Sequence, residues 1–201
     1  MGLSERNYYE SLYEIAVALN SNRAPDSILR SIVQRVAQAM DAKGCSLMLL
    51  TGDKKQLLHT VAYGLSDWYV RKGPVSVDKT ISEALDDKPI AVLDATEDER
   101  VQYRKQAQKE GIASILCVPV SLREEIVGVI RVYTKKPYHF TTDDIFFVCA
   151  VANLGAIALE NARLYESVQK DYATFRRDIL ERGAGAAYKG PPREKGAKEY
   201  D

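Results

Sequence analysis

Residues 114–166 read SILCVPVSLREEIVGVIRVYTKKPYHFTTDDIFFVCAVANLGAIALENARLYE and begin with two β-prone runs, SILCVPVSL and EIVGVIRVYT. The charged turn at residues 123–125 joins them, which indicates an antiparallel hairpin. Because side chains alternate along a strand, each run has one aliphatic face and one mixed face. We expect the two mixed faces to share one side of the sheet; they carry Ile115, Cys117, Pro119 and Ser121 in the first run and Val127, Val129, Arg131 and Tyr133 in the second.

The second half of this stretch predicts one long helix. The residues Thr141-Thr142-Asp143-Asp144 are typical of a helix start, and the helical pattern continues to about Glu181. Its apolar positions alternate spacings of three and four, which is typical of a coiled-coil seam. The seam contains Val151, Leu154, Ala158, Asn161, Tyr165, Val168, Tyr172, Phe175 and Ile179.

Upstream, the pattern changes from helices to strands. Two amphipathic helices are predicted, one containing Tyr8, Leu12, Ile15 and Leu19 and the other running from Ile28 to Met40. The runs CSLMLLT and QLLHTVAY then indicate a hairpin. Residues 64–111 are mixed, with a short segment around Trp68, a candidate helix from Thr80 to Leu85, a strand IAVL and a polar helix near Arg100 to Lys109. This order predicts an α+β fold in which the first and last helices cover one side of an antiparallel sheet.

Composition excludes several classes of function. The chain has 201 residues, of which 28 are Lys or Arg and 28 are Asp or Glu, so no net charge attracts nucleic acid or an anionic membrane. The longest uncharged run, residues 145–159, is shorter than the roughly 18 to 20 residues of a membrane span. The N-terminus has no secretory pattern, and Cys45, Cys117 and Cys149 lie far apart, which predicts reduced thiols in a cytoplasmic protein.

The predicted helices and strands, in this order along the chain, resemble the GAF domains of bacterial sensory proteins from about Tyr13 to Glu166. The resemblance is carried by the VPV strand, the GVI strand, the Phe-Thr-Thr-Asp-Asp helix start and the closing ENARLYE. It implies a profilin- or PAS-like antiparallel sheet of five or six strands, with terminal helices on one face and a small-molecule pocket on the other. The expected organisation is an N-terminal amphipathic helix in a dimer bundle (1–24), a GAF domain (25–166), a coiled-coil extension (167–181) and a disordered tail (182–201).

Arg131 is the most informative candidate residue. A guanidinium in the middle of a strand must be paired, reach solvent or meet a ligand. It could form a salt bridge with a neighbour such as Asp94, or lie on the pocket floor and bind an anionic or carboxylate ligand. The resemblance supports the second interpretation, since similar GAF enzymes place substrate-binding residues at the positions that Arg131 and Tyr133 match.

Other candidates surround this floor. The helix start at Thr80 would add backbone N–H donors, and aromatic side chains of the 64–111 segment would stack on a planar ligand or simply pack in the core. The complete candidate pocket consists of Trp68, Tyr69, Thr80, Asp94, Tyr103, Ile115, Cys117, Arg131 and Tyr133.

Nothing in the sequence indicates an enzyme or a cofactor. The motifs of common hydrolases, kinases and dehydrogenases are absent. Free methionine-(R)-sulfoxide reductases are GAF enzymes that need a resolving cysteine in the roof, but residues 50–116 contain none, and bilin attachment would need a roof cysteine as well. The two histidines, His59 and His139, do not indicate haem or a metal site, and the cyclic-nucleotide pattern of GAF domains has no match.

Past residue 166 the domain should be complete, yet the apolar seam continues and needs a partner. We therefore expect a homodimer whose interface contains Leu12, Leu154, Ala158, Asn161, Tyr165, Val168, Tyr172, Phe175 and Ile179. The function expected is a non-enzymatic sensory module that binds a small molecule and signals through the helical dimer to a partner protein in trans. The alternatives are an interaction module with a vestigial pocket and, third, a reductase-like enzyme.

Overall fold

The computed structural model describes residues 3–21, 24–77 and 88–185. Helices α1 (Leu3–Leu19) and α2 (Pro25–Ala39) precede a hairpin of β1 (Gly44–Leu50) and β2 (Gln56–Tyr63). Helix α3 (Asp67–Val70), strands β3 (Val75–Ser76) and β4 (Ile90–Val92), and helix α4 (Arg104–Glu110) follow. A second hairpin, β5 (Ser114–Leu122) and β6 (Glu125–Thr134), leads into helix α5 (Thr142–Gly185). The helix predicted at Thr80–Leu85 lies outside the described residues.

The described strands form one antiparallel sheet in the order β3-β2-β1-β6-β5-β4. The two predicted hairpins are therefore confirmed, and they meet where β1 pairs with β6. Gly128 makes this contact possible, because a Cβ at that position would lie 2.3 Å from the backbone oxygen of Met48. The predicted α+β class with a sheet of five or six strands is confirmed, with six.

The sheet separates two hydrophobic cores. Helices α1, α2 and α5 pack on one face, against aliphatic side chains that include Leu116, Val118, Ile130 and Val132. The other face is covered by residues 64–77 and 88–113, which we call the covering segment and whose Tyr69, Val92 and Ala107 lie in one hydrophobic cluster with residues of the sheet. Burial of both faces explains why the central strands are apolar on both sides. The prediction that the first and last helices cover one face is confirmed.

Helix α5 begins with a reciprocal cap. The Thr141 hydroxyl accepts a hydrogen bond from the Asp144 N–H (3.2 Å), and the Asp144 carboxylate accepts one from the Thr141 N–H (2.7 Å). The same carboxylate accepts hydrogen bonds from the Tyr138 and Tyr8 hydroxyls. The Tyr8 ring also stacks on Phe147, with 4.3 Å between centroids. The start of α5 therefore holds the N-terminal helix against the domain.

The chain divides into two units, Met1–Ala162 and Arg163–Asp201. Within the first unit, Ala158 is buried in the helix-side core, and Leu12 and Leu154 pack against it. Within the second unit, Leu164, Tyr165, Val168, Tyr172 and Phe175 are 57–64% exposed. The N-terminal part of the predicted seam thus packs within the domain's own fold, with Leu12 and Leu154 half-buried, whereas the seam side chains described from Asn161 onward are exposed.

Helix α5 extends further toward the C-terminus than the sequence pattern predicts. The helix includes residues 182–185, which the sequence pattern had assigned to a disordered tail, while residues 186–201 and the side chain of Ile179 lie outside the description. By length and hydropathy, the segment Thr142–Arg177 could cross a membrane. However, 44% of its most apolar window is buried inside the protein, and the core helix of a soluble domain meets the same criterion.

Candidate functional site

Strand register brings four predicted site residues together. Arg131 on β6 pairs with Cys117 on β5, and Tyr133 pairs with Ile115. On the other side of β6, Arg131 pairs with Ser46 on β1, whose hydroxyl lies 3.0 Å from the Tyr133 hydroxyl. All five residues are buried. They lie in the middle of the face opposite the helices, where the sequence pattern predicted the pocket floor, and Ser46, Arg131 and Tyr133 supply its polar groups.

The environment of Arg131 distinguishes the two interpretations of this residue. Its side chain is 7% exposed, its guanidinium donates a hydrogen bond to Cys117 Sγ, and its Nε has no partner among the described residues. Asp94 faces solvent after β4, where it accepts hydrogen bonds from Thr96 N (2.9 Å) and Oγ1 (2.6 Å). The Asp94 carboxylate is therefore not the counter-ion of Arg131. A buried cation without a counter-ion costs several kcal/mol, in order of magnitude.

Two further basic side chains join these residues: Lys72 from the covering segment, which sequence patterns missed, and His59 from strand β2. Lys72, which follows α3, places Nζ 3.0 Å from His59 Nε2 and donates a hydrogen bond to the Tyr69 carbonyl (3.1 Å). Its ammonium lies 3.8 Å from the centroid of the Tyr69 ring, which contacts the Tyr133 ring edge-on at 6.1 Å. We call the whole group the sheet-face cluster: Ser46, His59, Tyr69, Lys72, Cys117, Arg131 and Tyr133.

Burial sets the protonation states of this cluster. Burial, and then the positive charges of Lys72 and Arg131, lower the pKa of His59 to about 3. Burial and the charge of Arg131 lower the pKa of Lys72 to about 7, an effect that the negative charge of Glu110 opposes. Burial raises the pKa of Tyr133 to about 12. Near neutral pH the cluster therefore holds a permanent cation, Arg131, an amine that titrates in this range, Lys72, and a neutral imidazole.

The described residues provide little negative charge to balance these groups. Glu110 is the acid that interacts with Lys72, but its carboxylate accepts hydrogen bonds from Ser66 and pairs with Lys43 at 3.2 Å. Because His59 Nε2 faces the Lys72 amine, the ring proton is assigned to Nδ1, which is buried and has no partner in the described part of the chain. The cluster thus presents hydrogen-bond donors and positive charge.

The remaining candidate residues lie at the edge of the cluster or away from it. Tyr103 is half-buried, with its hydroxyl donating to the Pro74 carbonyl (2.9 Å) and its ring centroid 5.6 Å from Lys72 Nζ. Trp68 is 40% exposed, and Lys109 Nζ lies 4.9 Å from its ring on the outside of the domain. Thr80 lies outside the described residues.

Cys45 and Cys117 do not form a reactive pair. Cys45 packs in the helix-side core, whereas Cys117 lies on the opposite face of the sheet. Burial raises the pKa of the Cys117 thiol, although Arg131 partly opposes the effect. A buried, protonated thiol is a poor nucleophile. Within residues 3–21, 24–77 and 88–185, no group of three or more His, Cys, Asp or Glu side chains could hold a metal ion.

Comparison with known proteins agrees with this architecture. The fold resembles the GAF domain of a phosphoenolpyruvate-protein phosphotransferase from Coxiella burnetii, with a TM-score of 0.72, 20% identity, and 83% of this chain and 99% of that chain covered. The corresponding Acinetobacter domain has a TM-score of 0.66 at 22% identity, covering 82% of this chain and 97% of that one. Free methionine-R-sulfoxide reductase from Neisseria meningitidis has a TM-score of 0.65 at 15% identity, with 79% of this chain and 91% of that chain covered.

At these identities the structural likeness shows the fold alone. The sequence match goes further, since the profile of the GAF domain family matches residues 24–159, which is more than half of the chain. This chain therefore belongs to the GAF domain family.

Proposed function

We propose that this protein is a non-enzymatic sensory module that binds a small molecule on the sheet-face cluster and signals through a helical homodimer to a separate protein in the cytoplasm. GAF domains are small-molecule-binding or interaction modules of signalling proteins. The observation that carries the proposal is the buried guanidinium of Arg131, which lacks a carboxylate partner among the described residues. Such a group is retained at a cost to stability, and ligand binding is a reason to retain it.

Strand β6 connects this site to the helices of the proposed dimer, because its two faces contact the cluster and helix α5. Arg131 faces the cluster, while its neighbours on β6, Ile130 and Val132, point to the other side and pack with the helices. A ligand that shifts β6 by its contact with Arg131 therefore acts on the packing of α5. It can move the equilibrium between two helix arrangements only by its difference in affinity for them.

The second candidate function is an interaction module with a vestigial pocket. The exposed apolar side chains of α5 beyond residue 163 favour it, as do Tyr9, Tyr13 and Val17, which form an exposed line on α1. Both functions use a dimer, so only ligand occupancy separates them. The third candidate, a reductase, is disfavoured because Cys45 and Cys117 lie on opposite faces of the sheet.

Native mass spectrometry of the purified protein tests the proposal. We expect a dimer that carries a discrete small-molecule mass, and we expect Arg131→Met to lose that mass while remaining dimeric. Arg35→Met is the matched control, because Arg35 pairs with Glu14 between α1 and α2, away from the sheet. A mass that persists in the Arg131→Met protein would remove this residue from the site, and a dimer without added mass after gentle purification would favour the interaction module.

A further inference from the structure

We propose that the sheet-face cluster binds a small organic carboxylate between Arg131 and Lys72, and that the carboxylate binds together with one proton, which Lys72 carries. This inference rests on the proposed function, because it assumes that the cluster is the ligand site. It adds the chemical class of the ligand, a second binding residue and a dependence on pH.

The charge of the cluster favours an anion. Arg131 is a permanent cation that is 7% exposed. Lys72 carries an amine whose charged form is disfavoured by burial and by the charge of Arg131. In the described chain, neither side chain forms an ion pair with an acid. An anion between them would remove their mutual repulsion and supply the missing acceptor for Arg131 Nε. A second buried N–H, that of His59 Nδ1, is also without an acceptor there.

The walls around these donors favour an organic acid. Ile115, Val129 and the rings of Tyr69 and Tyr133 surround the cations with apolar surface. A carboxylate offers two oxygens in one plane, which matches the planar fork of a guanidinium, and its carbon skeleton would contact the aromatic rings. Inorganic phosphate lacks such a skeleton, and its tetrahedral oxygens do not lie in one plane with the guanidinium fork. The site is therefore better suited to a carboxylate.

Lys72 is the member of the cluster that titrates near neutral pH. The groups that face it are His59 from β2, Arg131 from β6, Glu110 from α4 and the rings of Tyr69 and Tyr103. His59 titrates far below pH 7, with a pKa of about 3, and Glu110, whose pKa is lowered, is already ionised. Desolvation and Arg131 together lower the pKa of Lys72 to about 7. Without ligand, Lys72 is therefore charged below pH 7 and neutral above it.

The sign of the pH dependence follows from this titration. A carboxylate binds best to the form in which Lys72 is protonated. For acetate, the dissociation constant should change little between about pH 5.5 and 6.5, because Lys72 is mostly charged there and acetate is ionised. Above about pH 8 the constant should rise roughly tenfold per pH unit, because one proton must be taken up for each ligand bound.

The test is an NMR titration of the full chain between pH 5.5 and 9. The probes are acetate and succinate as carboxylates, acetamide and succinamide as neutral analogues, and inorganic phosphate. Wild type should bind a carboxylate at least about tenfold more tightly than its amide. Lys72→Arg should bind with little pH dependence, because its charge is permanent, and Lys72→Met should bind weakly at every pH. Lys109→Met, which removes an exposed lysine beside Trp68, should match wild type.

Several outcomes would overturn the inference without touching the proposed function. Equal affinity for acetate and acetamide, or tighter binding of phosphate than of either carboxylate, would exclude the carboxylate assignment. A pH dependence that survives in Lys72→Arg would assign the proton to another group. A neutral compound retained in the native mass spectrum would exclude the anion while supporting a small-molecule sensor, so the two proposals fail separately.

Discussion

At the scale of single residues, burial of the Arg131 guanidinium lowers the stability of the ligand-free protein. We predict that Arg131→Met makes the ligand-free protein more stable by at least about 1 kcal/mol, because a buried charge without a counter-ion among the described residues is replaced by an apolar side chain of similar length. Urea denaturation at pH 7 measures the difference. The more exposed Arg35→Met should change stability by less than about 1 kcal/mol. A marked loss of stability in Arg131→Met would mean that the guanidinium is well satisfied.

Residues of the same site differ in how far sequence could place them. Strand alternation put Arg131, Tyr133, Cys117 and Ile115 on one face, and the structure has them there. Strand alternation does not place His59 on the correct face, because strand β2 changes its register opposite β1. Met48 pairs with His59 while Leu47 pairs with Val61, which leaves one extra residue in β2 and turns His59 toward Lys72. The sequence of strand β2 contains no local pattern that predicts this bulge.

At the scale of elements, the start of α5 is the joint between the N-terminal helix and the rest of the domain. We predict that Asp144→Ala lowers the free energy of unfolding by about 2–4 kcal/mol, since it removes a helix cap and the acceptor for the Tyr8 and Tyr138 hydroxyls. Denaturation midpoints of the full chain measure this loss.

The neighbouring acid provides the control for that experiment. Asp143 has the same position near the helix N-terminus but is exposed, so Asp143→Ala should cost less than about 1 kcal/mol. If the two variants lose equal stability, the charge near the helix start matters and the contacts with Tyr8 and Tyr138 do not. The motif Thr-Thr-Asp-Asp predicted this cap from local chemistry, but its bond to Tyr8 joins residues 136 positions apart and needed the fold.

At the scale of the whole molecule, the apolar side chains of the second unit need a partner if the dimer exists. We predict that Val168→Glu combined with Phe175→Glu lowers the dimer fraction at least about tenfold in sedimentation velocity. Both side chains are more than 60% exposed, so the change places charge in the seam without disturbing a core.

The corresponding control changes an exposed apolar residue elsewhere. Leu93 lies just after β4 and is 42% exposed, so Leu93→Glu should leave the dimer intact. Deletion of residues 167–201 should reproduce the effect of the double variant. An undiminished dimer in both would move the interface to another surface, of which the line of Tyr9, Tyr13 and Val17 on α1 is the first to examine.

Hydrophobic periodicity, turn chemistry and capping act over a few residues, and for that reason they were sufficient to predict the two hairpins, the terminal helices and the mixed strand faces. Three features depended on long-range packing instead. Ala158 is buried in the helix-side core with Leu154 half-buried beside it, Lys72 of the covering segment lies next to His59, and Trp68 is partly exposed at the surface. Each depends on which distant surface a side chain meets when the layers close, and periodicity along the chain contains no information about that surface.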